Sequence, residues 1–281
     1  MSVPLPLGFG AEATFVPKKH LGQNFLVDKK VIKRIVEACE LKSDETVFEI
    51  GPGQGALTRE ILPKVGGLIA VETDRVLAQR LQEEFSDGKV VIHHADFLRF
   101  DLNKIPPSLG RIKALGNIPY YISSPIMGRV LDGHEHFSAL FMTAQLEFGA
   151  RLAAKPGTRD YSSLTCFVNY FTEPKMLFRI PPGAFRPAPK VWSCFMRLTV
   201  RQKPAVEVSN EAVFLSTIRH AFLHRRKTLV NSLSSLYPKD QVAEILSEVG
   251  IQEKVRAEEL SLEDYAKMTN KITQRGLTPE V

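Results

Sequence analysis

Apolar positions along this chain change period several times, and the changes mark out its elements. From Asp28, a residue suited to cap a helix, Val31, Ile32, Ile35, Val36 and Cys39 recur at helical spacing. Short apolar runs then alternate with helical stretches. The runs Thr46–Ile50, 68–71, 90–93, 112–115 and 138–142 predict strands, and 55–62 and 75–85 predict helices between the first of them. Alternation of this kind predicts an α/β fold, a parallel sheet with helices on both faces. Two further strands are expected at 176–180 and Ser193–Val200, around a proline-rich loop at 181–189, where they can form an antiparallel edge. Beyond 201–210, a linker by composition, the patterns are helical only: 211–223, 227–236, 240–249 and 261–273. The expected division is an N-terminal arm at 1–27, an α/β domain at 28–203 and a small all-helical domain at 204–281.

The length, 281 residues, suits one large domain with an appendage or two domains. With 37 Lys and Arg against 31 Asp and Glu, the net charge of +6 favours a polyanionic partner. Cys39, Cys166 and Cys194 are far apart and odd in number, and no Cys-x-x-Cys occurs. Neither a zinc site nor a disulfide framework is expected, and a reducing cytoplasm is. The apolar stretch 2–10 has no basic run before it and is broken by Pro4 and Pro6, so it predicts an arm and not an export signal. No apolar run reaches membrane-spanning length. His93, His94, His134, His136, His220 and His224 show no metal-ligand spacing, and no metal is expected.

Asn117-Ile118-Pro119-Tyr120 follows the run at 112–115 and so falls at a strand end. The Asn carboxamide oxygen accepts hydrogen bonds, and the carbonyls around Pro119 add acceptors without a competing N–H. Tyr120 offers a flat π-face on which a base can stack. Two acceptors and an aromatic plate suit an exocyclic amine on a planar ring, such as adenine N6. A strand that simply ends in an Asn-Pro-type turn fits the same four residues.

The first strand runs into Glu49-Ile50-Gly51-Pro52-Gly53-Gln54-Gly55. Glycines here let the backbone approach a ligand at the carboxyl edge of the sheet, although the spacing is not that of a dinucleotide fingerprint. Glu72 ends the second strand, where a carboxylate can accept from both hydroxyls of a ribose. Asp96 follows the third strand and is placed to accept from an adenine amine. Adenosine-containing cofactors of several kinds meet these requirements, and solvated strand-end acids are the plainer alternative. Glu49 discriminates among them: its carboxylate repels a pyrophosphate and favours a cationic cofactor such as S-adenosyl-L-methionine, which carries a sulfonium and an ammonium group.

With these segments, 20–26, 185–191 and 222–228 complete an ordered set of motifs. On that set the chain, from about Lys18 to Leu236, resembles the ribosomal RNA adenine N6-dimethyltransferases of the KsgA type. The resemblance implies a Rossmann-like S-adenosyl-L-methionine-dependent methyltransferase sheet, a helical RNA-binding domain after it and an N-terminal segment that closes over the cofactor. It implies methyl transfer to two adjacent adenosines near the 3′ end of small-subunit rRNA, within a pre-30S particle, by a monomeric cytoplasmic enzyme. By matching position, Asn24, Leu26, Gly51, Glu72, Asp96 and Asn117 form the cofactor-binding set, joined by Gln23, Glu49 and Gly53. Asn117, Pro119 and Tyr120 are expected to carry the reaction.

Three positions depart from the family's pattern. Tyr121 stands where Asn is common, Leu146 replaces the usual Lys between Gln145 and Glu147, and Trp192 stands where Asp commonly follows Pro-x-Pro-Lys-Val. Cations that track phosphates are expected at Lys18, Lys19, Arg186, Lys190, Arg225, Arg226 and Lys227, with Lys29, Lys30, Lys33, Arg34 and Arg219 as further candidates. Each taken singly also fits a solvated surface charge. Two other functions stay open at this level: a resistance-conferring methyltransferase of large-subunit rRNA, and an assembly factor that chiefly binds RNA.

Overall fold

A computed structural model describes residues 3–4, 14–15, 23–86 and 88–277. Side chains alternate along a strand, so Val47 and Phe48 of Thr46–Ile50 (β1) point to opposite faces, and both are buried. Val47 joins a cluster with Ile35 and Val36 of Lys29–Ala38 (α1) and Leu57 and Ile61 of Ala56–Ile61 (α2). On the other face the Phe48 ring meets those of Phe97, Phe100 and Phe137 at 5.8, 5.9 and 5.8 Å. Burial on both faces is what a strand in a parallel sheet requires.

The remaining strands are Gly67–Glu72 (β2), Val90–His94 (β3), Ile112–Asn117 (β4), Phe137–Gln145 (β5), Thr172–Ile180 (β6) and Ser193–Val200 (β7). They form one seven-stranded sheet in the order β3-β2-β1-β4-β5-β7-β6. Strands β1 to β5 pair in parallel, while β7 runs antiparallel to β5, giving the expected antiparallel edge. The strand order reverses at β1, between β2 and β4, and a crevice opens there beyond the carboxyl ends, as in other doubly wound sheets. The class is α/β and Rossmann-like, as the sequence predicts.

Caps set the helix starts. Asp28 accepts from the backbone N–H groups of Lys30 and Val31, and Asp74 accepts from those of Val76 and Leu77 at the head of Arg75–Glu84 (α3). Three helices escape the hydrophobic pattern: Ser123–Asp132 (α4), Leu146–Leu152 (α5) and Ser163–Phe171 (α6). Pro125 and Gly128 disguise α4, although a proline in the first turn removes no intrahelical bond. Apolar residues dominate α6, so no polar face marks its period, and a Ser162–Thr165 capping box fixes its start.

The chain divides into two compact units, Met1–Gly149 with Pro174–Val200 and Ala150–Glu173 with Arg201–Val281. The second unit contains α6 with Glu211–Ala221 (α7), Leu229–Ser232 (α8), Lys239–Glu248 (α9) and Leu262–Gln274 (α10). The division differs from a single cut near 203, because 150–173 groups with the later helices. Tyr170 lies 4.8 Å from the Phe214 ring and donates its hydroxyl to Glu211, and Tyr161 packs on Phe222. The helix expected over 227–236 shortens to α8. Side chains there bond to nearby groups instead, Asn231 to Thr228 Oγ1 and Ser234 to the Asn231 carbonyl. Truncating Phe48 to alanine is expected to lower unfolding stability by about 3–5 kcal/mol, read from the denaturant midpoint at unchanged slope.

Candidate active site

The loop after β1 threads the crevice with three left-handed glycines, Gly51, Gly53 and Gly55, at φ +67°, +59° and +75°. Side chains rarely adopt this conformation. At Gly53 space is also short, since a Cβ would lie 3.1 Å from the Phe25 ring. The end of β2 holds this loop in place. Glu72 Oε2 accepts the Gly53 N–H at 2.8 Å, and its Oε1 accepts the Asp74 N–H at 2.8 Å. Each oxygen keeps a further acceptor direction, so Glu72 both anchors the loop and can still meet a hydroxyl. The anchoring role was not legible in the sequence.

Glu49 lies buried on β1, and its carboxylate accepts from Thr58 Oγ1 at 2.7 Å. Burial pushes its pKa up to about 7; the Thr58 hydrogen bond opposes the rise and the nearby Glu72 charge adds to it. Glu72 is also raised, chiefly by burial, against the pull of the backbone N–H groups of Asp74, Gly53 and Thr73. The crevice therefore contains acids that ionise at a cost and gain from a cation.

Asn117 ends β4, and its carboxamide is held at both ends. Its Nδ2 donates to the Asn24 carbonyl at 2.8 Å, while its Oδ1 accepts from Thr143 Oγ1 at 2.5 Å. The Asn24 carbonyl can only accept, which fixes which end of the amide is nitrogen. Thr143 sits on β5 directly across from Asn117 in the ladder. One lone-pair direction of Oδ1 remains for an incoming donor. The Pro119 carbonyl is engaged in the turn that follows, accepting from the Ile122 N–H at 3.2 Å and from Ser123 Oγ at 3.4 Å. The Ile118 carbonyl accepts no hydrogen bond among the described residues, which makes it the freer second acceptor.

Tyr120 is half-buried, and its hydroxyl shares a 2.5 Å hydrogen bond with Ser193 Oγ at the start of β7. Burial raises the Tyr120 pKa, and the Ser193 bond opposes that rise. One cavity is lined by Gln23, Asn24, Leu26, Glu49, Gly51, Gly53, Glu72, Asp96, Asn117, Pro119 and Tyr120, so all the expected cofactor and reaction residues converge. Asp96 caps the turn after β3 through Leu98 N–H and is exposed. Gln54, Phe97, Ile118, Tyr121 and Ile126 also line the cavity. Of these, Gln54 and Ile118 lie inside motifs legible in the sequence, Phe97 and Tyr121 adjoin such motifs, and Ile126 has no such signal. The two-residue strand Phe25–Leu26 pairs with Phe185–Arg186, which ties the segment before α1 to the proline-rich loop.

Arg186 and Lys190 are exposed on that loop, and Arg225, Arg226 and Lys227 are exposed in the second unit. The Arg225 guanidinium also donates to the Arg159 carbonyl at 2.8 Å. Lys18 and Lys19 lie outside the described residues. Among the described residues no three His, Cys, Asp or Glu side chains are placed to hold a metal ion, and no helix is long and apolar enough to cross a membrane.

Acceptors for an amine at the mouth of a glycine-lined crevice, on a Rossmann-like sheet, mark the class as methyltransferase. The sequence supplies the family: residues 15–274 match the ribosomal RNA adenine dimethylase family, and the chain belongs to it. It is 42% identical over 273 residues to the ribosomal RNA small subunit methyltransferase A of Pelotomaculum thermopropionicum, covering 92% of each chain. The protein of that name from Bacillus cereus is 38% identical over 271 residues, 93% of each chain. Among solved structures, a dimethyladenosine transferase from Plasmodium falciparum shares the fold, with a TM-score of 0.78 at 23% identity over 90% of this chain and 99% of that one. The 23S rRNA methyltransferase ErmE matches with a TM-score of 0.67 at 30% identity, over 89% and 100%.

The Glu49 shift carries a stability consequence. An acid with a raised native pKa stabilises the fold below its unfolded value and loses that contribution as pH rises through about 7. Replacing it by Glu49→Gln is expected to flatten the fall in stability from pH 4.5 to 8 by roughly 3 kcal/mol, measured by denaturant titration at several pH values.

Proposed function

We propose that this chain dimethylates N6 of two adjacent adenosines in the 3′-terminal hairpin loop of small-subunit rRNA, using S-adenosyl-L-methionine. The observation that carries the chemistry is the Asn117 carboxamide, locked with one oxygen direction open beside a free Ile118 carbonyl. The choice of small subunit is supported by end-to-end similarity to relatives bearing that name, at 42% and 38% identity, against 30% for the 23S enzyme.

The residues of the crevice fit the cofactor. Glu72 and Asp96 offer acceptors for hydroxyls and an adenine amine, and the Gly51 backbone leaves open space where a Cβ would stand. Gln54 Nε2 is buried with no hydrogen-bond partner among the described residues, a donor suited to a carboxylate. Glu49 is a buried acid whose costly ionised form a cationic centre would stabilise. When bound, S-adenosyl-L-methionine supplies an electrophilic methyl group on a sulfonium with an excellent leaving group.

The remaining task is to make adenine N6 a nucleophile, because its lone pair is delocalised into the ring. Asn117 Oδ1 and the Ile118 carbonyl accept the two N–H bonds, which draws the nitrogen toward tetrahedral geometry and aims its lone pair. No strong base is required, since the amine becomes acidic as it is methylated and releases its proton to water. Tyr120 stacks on the base, worth about 1–3 kcal/mol in comparable contacts. Well-oriented reactants gain roughly 7–11 kcal/mol in favourable cases, so alignment supplies much of the catalysis. After the first transfer one N–H remains. The clamped Asn117 keeps it, and the methyl group takes the Ile118 side.

Asn117→Ala is expected to slow single-turnover methylation by about 10²–10³-fold while cofactor affinity changes little. Thr143→Val, which frees Oδ1 to swing, is expected to cost about tenfold in the same rate with unchanged cofactor affinity. Unchanged turnover in both variants would remove the acceptor role. Substrate choice is tested by incubating the protein with labelled cofactor and separate unmethylated small subunits, large subunits and naked rRNA, then mapping the label by mass spectrometry. Dimethyladenosine confined to the small-subunit 3′ region is the expected result. Label only in large-subunit rRNA would contradict it.

A further inference from the structure

Hydrogen bonds join the segments that carry the three departures from the family's pattern, Tyr121, Leu146 and Trp192. The Trp192 backbone carbonyl accepts the Leu146 N–H at 2.9 Å. Tyr120 and Ser193, the chain neighbours of Tyr121 and Trp192, share the 2.5 Å hydroxyl bond. Tyr121 and Trp192 each adjoin one partner of that bond along the chain, and both are exposed, at 58% and 51%. Tyr121 at the same time lines the cavity that holds the Asn117 acceptors. Exposed aromatics of this size are few in the described chain, because an indole or phenol ring left in water forgoes burial of apolar surface.

We propose that Tyr121 and Trp192 form a stacking rim that takes an unpaired RNA base neighbouring the target adenosine. The inference rests on the rRNA methyltransferase reading of the site. Three features select RNA as the occupant. The rim is continuous with the base pocket through Tyr121. Exposed Arg186 and Lys190 lie on the same short segment as Trp192, so phosphate-binding cations and a π-face alternate there. Both rings present flat π-faces, which suit bases of any identity. Two adjacent target adenosines also require that the second base be held out of a helix while the first reacts, and a stacking plate beside the pocket does that.

Trp192 is the chain's one tryptophan, so its emission reports the rim directly. The full-length protein is titrated with a synthetic RNA hairpin whose loop presents two adjacent unpaired adenosines. Saturable quenching of Trp192 emission is expected. Tyr121→Ala and Trp192→Ala are each expected to weaken hairpin binding about tenfold, with cofactor affinity unchanged. Tyr121→Phe and Trp192→Phe, which keep the π-face, are expected to bind like the parent. Unchanged emission, or alanine variants that bind the hairpin as the parent does, would overturn the rim. So would an emission change seen with whole small subunits and absent with the hairpin, because a protein would then be the neighbour. A parent protein that quenches with the hairpin but methylates no RNA would overturn the proposed function and leave the rim standing.

Discussion

Everything in the crevice depends on the Asn117 carboxamide being unable to rotate. The Asn24 carbonyl takes its nitrogen and the Thr143 hydroxyl holds its oxygen. A free asparagine side chain presents donor or acceptor with nearly equal ease, and an amine would meet either. Two fixed partners remove that choice and leave one acceptor direction. They also bind three parts of the chain together: the segment before α1, the end of β4 and the end of β5. In the proposed reaction the same oxygen serves fold and chemistry at once.

A second constraint acts on the other side of the cavity. Glu72 could be only a ribose acceptor, yet it spends one direction of each oxygen on the glycine loop and on the cap of α3. Burial raises its pKa, and that of Glu49 beside it, so ionising either acid in the crevice costs energy. A cation entering the crevice relieves this cost. A pyrophosphate would deepen it. Electrostatics thus narrows the cofactor where the glycine spacing alone does not.

Much of this was legible in the sequence, and the limits follow from distance along the chain. Strands β1 to β5 could be read because their apolar runs are local, as could the cap at Asp28. Glu49, Glu72, Asp96 and Asn117 were readable because each stands at the end of such a run. Thr143 was not, since its partnership with Asn117 arises only from the parallel register of β4 and β5. Ser193 was hidden for the same reason, 73 residues from Tyr120. Helix α6 lacks a polar face, so its period and its place with the second unit were invisible. The choice between the Ile118 and Pro119 carbonyls needed the turn geometry that engages Pro119.

The claim that matters most is that a rigid Asn117 and the Ile118 carbonyl together receive the reacting amine. A structure of the protein with a target RNA hairpin and S-adenosylhomocysteine tests it most directly. The expected result is an extruded adenine stacked on Tyr120, with N6 within hydrogen-bond distance of both Asn117 Oδ1 and the Ile118 oxygen and the Asn24 and Thr143 bonds intact. An adenine whose N6 faces away from Asn117, or an Asn117 side chain rotated out of its clamp, would contradict it.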